Sequence, residues 1–121
     1  MIQMSKPWFD VAAGKLEQED TIQKTYSCSY DKGNGYLCLA NKKLIFVKVK
    51  GFLKKTYDVT LDLPYNDLNE VKLTNRFKLN IKHNGSQHFI ETSDISAKTV
   101  MHAMRDVVKT SPEYKIQFVE N

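Results

Sequence analysis

Two cysteines, Cys28 and Cys38, are too few for the disulfide framework of a small secreted domain, and their spacing does not suit a zinc site. Long apolar runs are missing as well. The longest unbroken aliphatic or aromatic stretch, Leu44-Ile45-Phe46-Val47, is far short of a bilayer span, and the opening MIQMSKPWFD carries no apolar segment of signal-peptide length. A soluble cytoplasmic protein is the expectation. Arginine is scarce: Arg76 and Arg105 are too few for phosphate clamps, and the aromatics do not interleave with arginine on one strand face, so nucleic acid is not an expected partner. Catalytic signatures are absent too, since there is no nucleophile elbow, glycine-rich phosphate loop or His-Glu-x-x-His helix. Asp58 and Asp62 recur with acid spacing, but Thr56 and Thr60 share their face, which reads as solvated surface. The expectation is a non-enzyme with no metal and no cofactor.

What the chain does have is ordinary globular composition. Its 121 residues are 41% hydrophobic and 26% charged, which fits one domain over 1–121 that buries roughly 65% of its extended-chain surface. The core is expected over about 20–110, with an amino-terminal helix over about 5–16 and a carboxy-terminal tail over 112–121. No repeat or low-complexity tract interrupts it. A formal charge of +4 and a pI near 9.0 favour anionic partners without choosing among them.

Strand signals follow one another at short, regular intervals. Ile22 to Tyr30, Gly35 to Ala40, Lys43 to Val49 and Thr56 to Leu63 all show β patterning, and Pro64 closes the last of these because it cannot donate a ladder hydrogen bond. A further strand holds Val71 and Leu73. Two pieces, Gly-x-Leu-x-Leu-x-Asn-x-x-Leu-Ile-Phe (Gly35 to Phe46) and Leu-Asp-Leu-Pro-Tyr-Asn-Asp-Leu-Asn-Glu-Val (Leu61 to Val71), resemble the pleckstrin-homology-like superfold, and within it the GRAM and bacterial PH families. The fold class expected is therefore mainly β with α: a bent antiparallel barrel or sandwich of about seven strands, capped by a carboxy-terminal amphipathic helix, plus a short amino-terminal helix.

Parity sets which side chains share a face. Pairing Tyr26, Cys28 and Tyr30 with Leu37 and Leu39 gives the first two strands a common apolar face and turns Cys38 outward, so the cysteines are expected unbridged, with Cys38 the more accessible. In the last hairpin, a three-residue loop with Gly85 left-handed would bring Phe89 to the side of Phe77, Leu79 and Ile81. His83 and His88 then flank a solvent-facing turn.

Helical period appears at both ends. Ser5 precedes Pro7, and Trp8, Ala12 and Leu16 recur every four residues; later, Ser93 or Asp94 would cap a helix running to Lys109, before Ser111-Pro112, with Ala97, Val100, Met101, Met104, Val107 and Val108 on its apolar stripe. The tail from Tyr114 to Val119 alternates and is expected to add a strand or cover an edge.

The functional signal lies in Lys48-Val49-Lys50-Gly51-Phe52-Leu53-Lys54-Lys55. An apolar pair among four lysines can enter the acyl boundary of a membrane while the ammonium groups meet anionic headgroups. A meander places the first turn at the same end, which brings Lys32 to the patch. The resemblance implies a non-enzymatic binding module, because PH and GRAM relatives commonly bind phosphoinositides or other anionic lipids at that end. It also marks a departure: many PH domains cluster Lys and Arg in the first hairpin, whereas this turn sets Lys32 beside Asp31. The expected site is Lys32, Lys48, Lys50, Phe52, Leu53, Lys54 and Lys55, acting in peripheral association with an anionic lipid surface. Two alternatives stand beside it: Phe52 folded back on the barrel, and docking of another protein, including an acidic or extended peptide at an open sheet edge.

Overall fold

Alternation becomes strand nearly everywhere it was expected. The computed structural model describes residues 6–110 and 114–120, so the proposed role of Ser5 and the stop before Ser111-Pro112 lie outside the described residues. Helix α1 (Pro7–Ala13) leads to strands β1 (Ile22–Tyr30), β2 (Gly33–Ala40), β3 (Lys43–Lys50) and β4 (Thr56–Pro64). A single 3-10 turn, Tyr65–Asp67, leads to β5 (Leu68–Asn75), β6 (Lys78–His83), β7 (Ser86–Thr92), helix α2 (Ala97–Val108) and β8 (Gln117–Val119).

The described strands form one sheet of eight in the order β4-β3-β2-β1-β7-β6-β5-β8. It has eight strands where the alternation predicts a bent antiparallel barrel or sandwich of about seven, and it is open. Two local features keep it so. Pro64 ends β4 and sends the chain through the 3-10 turn, while the free edge of β5 is taken by β8 in parallel register, Val71 opposite Phe118. The sheet nevertheless curls on itself: Leu37, Leu39, Phe46, Leu61, Leu79, Ile81 and Ile90, from five strands, share one core with Val100, Met101, Met104 and Val108 of α2. Tyr65 completes that core from the corner between β4 and β5. It is fully buried, and its hydroxyl donates to the Ala40 carbonyl at 2.7 Å.

Helix α2 closes the open side of the curled sheet. Its cap is Ser96, not Ser93 or Asp94: the Ser96 backbone is extended, and its Oγ accepts from the Thr99 N–H at 3.2 Å. The shift is local, because the Ala97 N–H bonds the Arg76 carbonyl at 2.8 Å and so fixes where the first turn begins.

The β1–β2 hairpin keeps the predicted parity and the β6–β7 hairpin does not. In β1–β2, Tyr26 stands opposite Leu37 and Cys28 opposite Gly35, so Cys28 and Cys38 do point to opposite faces. Cys38 is nonetheless buried, because α1 covers the outer face of the sheet. Trp8 stacks on Tyr36 with ring centroids 4.0 Å apart, and Ala12 packs in one cluster with Cys38, Ile45 and Val47. In β6–β7 the expected three-residue loop is instead the two-residue turn Asn84-Gly85, with φ of +47° and +85°. Such a turn matches the twist of the flanking strands and pairs Leu79 with Ile90 and Asn80 with Phe89. Ile90 thus takes the core position, and Phe89 is left half exposed.

Both thiols are free, and burial pushes each up to about 12. Relative to an ordinary cysteine, the thiolate population at neutral pH falls by about a thousandfold. Neither should react with Ellman's reagent on the timescale of a free thiol, and Cys38 should label before Cys28, because undocking α1 exposes it without opening the main core. Rapid native labelling of Cys38 would show that α1 does not seal that face.

Candidate functional site

Three turns meet at one end of the sheet. The β1–β2 turn, Asp31-Lys32, has φ of +51° and +64°; the β6–β7 turn is Asn84-Gly85; the β3–β4 loop runs over 51–55. Register brings them together. Gly35 stands opposite Lys48, so the first turn lies beside the end of β3, and Tyr30 opposite Ile90 places the β6–β7 turn on its other side.

Glycine makes the close approach between hairpins possible. A Cβ on Gly33 would collide with the aliphatic stem of Lys48, and one on Gly35 with the Val47 carbonyl. Lys48 therefore lies half-buried along β2 rather than extended into solvent. Gly51, at φ +97°, turns the chain out of β3, and a side chain there would strike the Lys54 carbonyl.

Beyond Gly51 the loop stands clear of the sheet. Phe52 is 93% exposed and Leu53 94%, so Phe52 does not fold back on the core. Among the described residues, these two are the most exposed large apolar side chains. Lys54 and Lys55 beside them are exposed. Lys50 is exposed too, but its ammonium pairs with Asp58 at 2.6 Å, which tempers its charge; Lys32 sits next to Asp31. Five lysines thus face two carboxylates at this end.

Sequence reasoning missed the third turn's contribution. The Tyr30 hydroxyl and His88 Nδ1 are 2.8 Å apart, Tyr30 packs edge-on to Phe46, and the His83 and His88 rings lie 5.9 Å apart. His88 is thus half-buried rather than a freely solvated turn residue. Burial, then the neighbouring His83, lowers its pKa, so it favours the neutral form. Only the β1–β7 pairing brings Tyr30 to His88, and no local pattern announces that pairing. Among the described residues, no group of three or more His, Cys, Asp and Glu could hold a metal ion, and no helix is long and apolar enough to cross a membrane.

This end can therefore present cations and an apolar tip to a surface. Comparison with known proteins agrees with the architecture. The pattern of the bacterial PH domain family matches residues 16–110. No curated protein matches the chain. Among solved structures, the C-terminal domain of an unknown protein from Leishmania infantum superposes with a TM-score of 0.59 at 14% identity, covering 83% of this chain and 91% of that one. The hSac2 domain of the human phosphoinositide phosphatase Sac2 gives 0.62 at 9% identity, covering 93% and 84%. At such identities the likeness is one of fold.

Proposed function

The chain belongs to the bacterial PH domain family, whose members are typically non-catalytic binding modules, and from that premise we propose that it binds anionic membrane surfaces through the β3–β4 loop. One observation carries the reading: Phe52 and Leu53 are almost fully exposed at the tip of a loop whose other side chains include Lys50, Lys54 and Lys55. Leaving two large apolar groups in water costs free energy that burial below the headgroups would recover, at roughly 25 cal/mol per Å². The lysines supply the second signal that a peripheral module needs, because each can contribute about 1 kcal/mol near an anionic leaflet. Lys32 and the stem-pinned Lys48 extend the basic surface toward the first turn. That a domain of a phosphoinositide phosphatase shares the fold supports a lipid setting, though the present site lacks the arginines that would clamp one phosphate bidentately.

Co-sedimentation with vesicles tests this directly. The protein should pellet with vesicles containing phosphatidylserine and not with phosphatidylcholine alone, and raising salt from about 0.1 M to 1 M should release it as the Debye length shrinks from about 10 Å to 3 Å. No association with the anionic vesicles at low salt would shift the reading to protein docking.

A further inference from the structure

Two of the chain's three histidines, His83 and His88, lie at the end of the sheet that carries the β3–β4 loop; the third, His102, is on α2, its Nε2 3.0 Å from a Glu120 carboxylate oxygen. Register puts the first two on the inner face. Ile81 stands opposite His88 and Ser86 opposite His83, while Tyr30, opposite Ile90, closes on the His88 ring from β1. One bond holds that ring: its Nδ1 lies 2.8 Å from the Tyr30 hydroxyl, and its Nε2 is buried with no hydrogen-bond partner among the described residues. A neutral imidazole tolerates this seat, because Nδ1 can accept from the tyrosine O–H and leave a single N–H unmet. An imidazolium does not, since it brings a charge and a donor on each nitrogen.

The groups around His88 supply no counter-charge. From β6 comes His83, with ring centroids 5.9 Å apart; from β1, Tyr30, followed in the turn by Asp31, which acts on the Tyr30 phenol; from β3, Lys48, whose stem crosses Gly33, the partner of Tyr30. Lys82 and Glu91 alternate onto the other face, where they pair with Glu70 and Lys78. Among the described residues, the one histidine with a carboxylate partner is His102. Burial, and then His83, lower the proton affinity of His88. Its seat therefore contributes stability above the ordinary histidine pKa, and that contribution is lost as pH falls from there through the lowered one.

We propose that Tyr30, His88 and His83 form an acid-sensitive latch on the membrane-docking end: charging the imidazoles releases His88 from Tyr30 and adds two cations to the surface that meets anionic lipid. The latch acts on docking by the β3–β4 loop and so rests on that reading. Repulsion between the charged rings, with Lys48 at their side, keeps His88 out of its seat. Each further cation near an anionic leaflet strengthens association about fivefold, so binding tightens in acid. By linkage, a bound anionic membrane raises the proton affinity of the pair. Lipid charge and proton concentration are thus sensed together at one end of the sheet.

Binding to phosphatidylglycerol vesicles, whose phosphodiester keeps its charge throughout, is measured from about pH 8 to about pH 5, the window in which an ordinary histidine titrates. The wild-type association constant should rise by at least about tenfold on acidification, and His83→Gln/His88→Gln should cut the rise below about threefold. His102→Gln should keep the full rise. Tyr30→Phe retains the ring against Phe46 and loses only the hydroxyl, so the midpoint of the rise should move to higher pH. Equal wild-type binding across the window, a full rise in the double glutamine variant or an unmoved Tyr30→Phe midpoint overturns the latch and leaves loop docking standing. No binding at any pH rejects docking and the latch with it. NMR of the free wild-type chain reads the latch without lipid: the His88 ring protons should titrate below the range of a histidine peptide, and the Tyr30 ring resonances should shift with the same midpoint. Tyr30 resonances that ignore the His88 titration refute the release, even where a glutamine variant fails to fold.

Discussion

Met104→Asp should leave little folded protein in buffer at 25 °C. Met104 is fully buried on the α2 face that closes the curled sheet, within the core that also holds Met101, Val100 and Val108. Truncating a buried methionine alone costs about 2–5 kcal/mol through lost transfer energy and a cavity. An aspartate adds a carboxylate with no partner, which must either stay charged in an apolar site or take up a proton far from its ordinary pKa. Set against a typical domain stability of about 5–15 kcal/mol, the sum removes most or all of the margin. Met104→Leu keeps volume and polarity and should cost under about 1.5 kcal/mol. Urea denaturation followed by circular dichroism separates these cases. Cooperative unfolding of the aspartate variant within about 1 kcal/mol of wild type would mean that α2 does not plug the core.

Charge reversal at the loop should have the largest effect on binding. Lys54→Glu with Lys55→Glu removes two favourable terms of about 1 kcal/mol each at an anionic surface and replaces them with repulsion, so vesicle association should fall to background. Phe52→Ser should weaken association without abolishing it, because Leu53 and the lysines remain. Neither change should move the thermal midpoint by more than a degree or two, since these side chains are solvated in the free protein. Full vesicle binding by the double glutamate variant would remove the loop from the mechanism. Loss of fold in Phe52→Ser would contradict its exposure.

Particular residues show what the sequence makes legible. The β1–β2 register could be read because Tyr26, Cys28 and Tyr30 on one strand and Leu37 and Leu39 on the other must share the buried face, and only one parity allows it. The β6–β7 register was ambiguous because Phe89 and Ile90 are adjacent and either could be core; Asn84-Gly85 turn geometry decided for Ile90. Burial of Cys38 depends on where α1 lies, and the β8 ladder and the ion pair of Glu120 with Arg105 depend on contacts made across the molecule. Periodicity within a strand carries no information about such partners. The existence of the β3–β4 loop was legible because Gly51-Phe52-Leu53 interrupts strand patterning, but whether Phe52 folds back on the sheet was not, and the structure leaves it and Leu53 exposed.

The seam between β1 and β7 has a consequence for the order in which the chain assembles. Strands β1 to β4 are joined by short turns, so their pairings close loops of a few residues, whereas Cys28 meets Thr92 only after more than sixty residues have been gathered in between. Loop-closure entropy is met before such a contact gives anything back, which places the four-stranded meander early on the folding route and the seam late. Stopped-flow measurements should then find that weakening the β2–β3 hairpin, as with Leu39→Ala, slows folding, while Val100→Ala in α2 chiefly speeds unfolding. The reverse pattern would place the nucleus at the seam. On the expected route, the inner face of the meander stays uncovered until α2 arrives, which makes the interval before helix docking the time when the nascent domain is most exposed to aggregation.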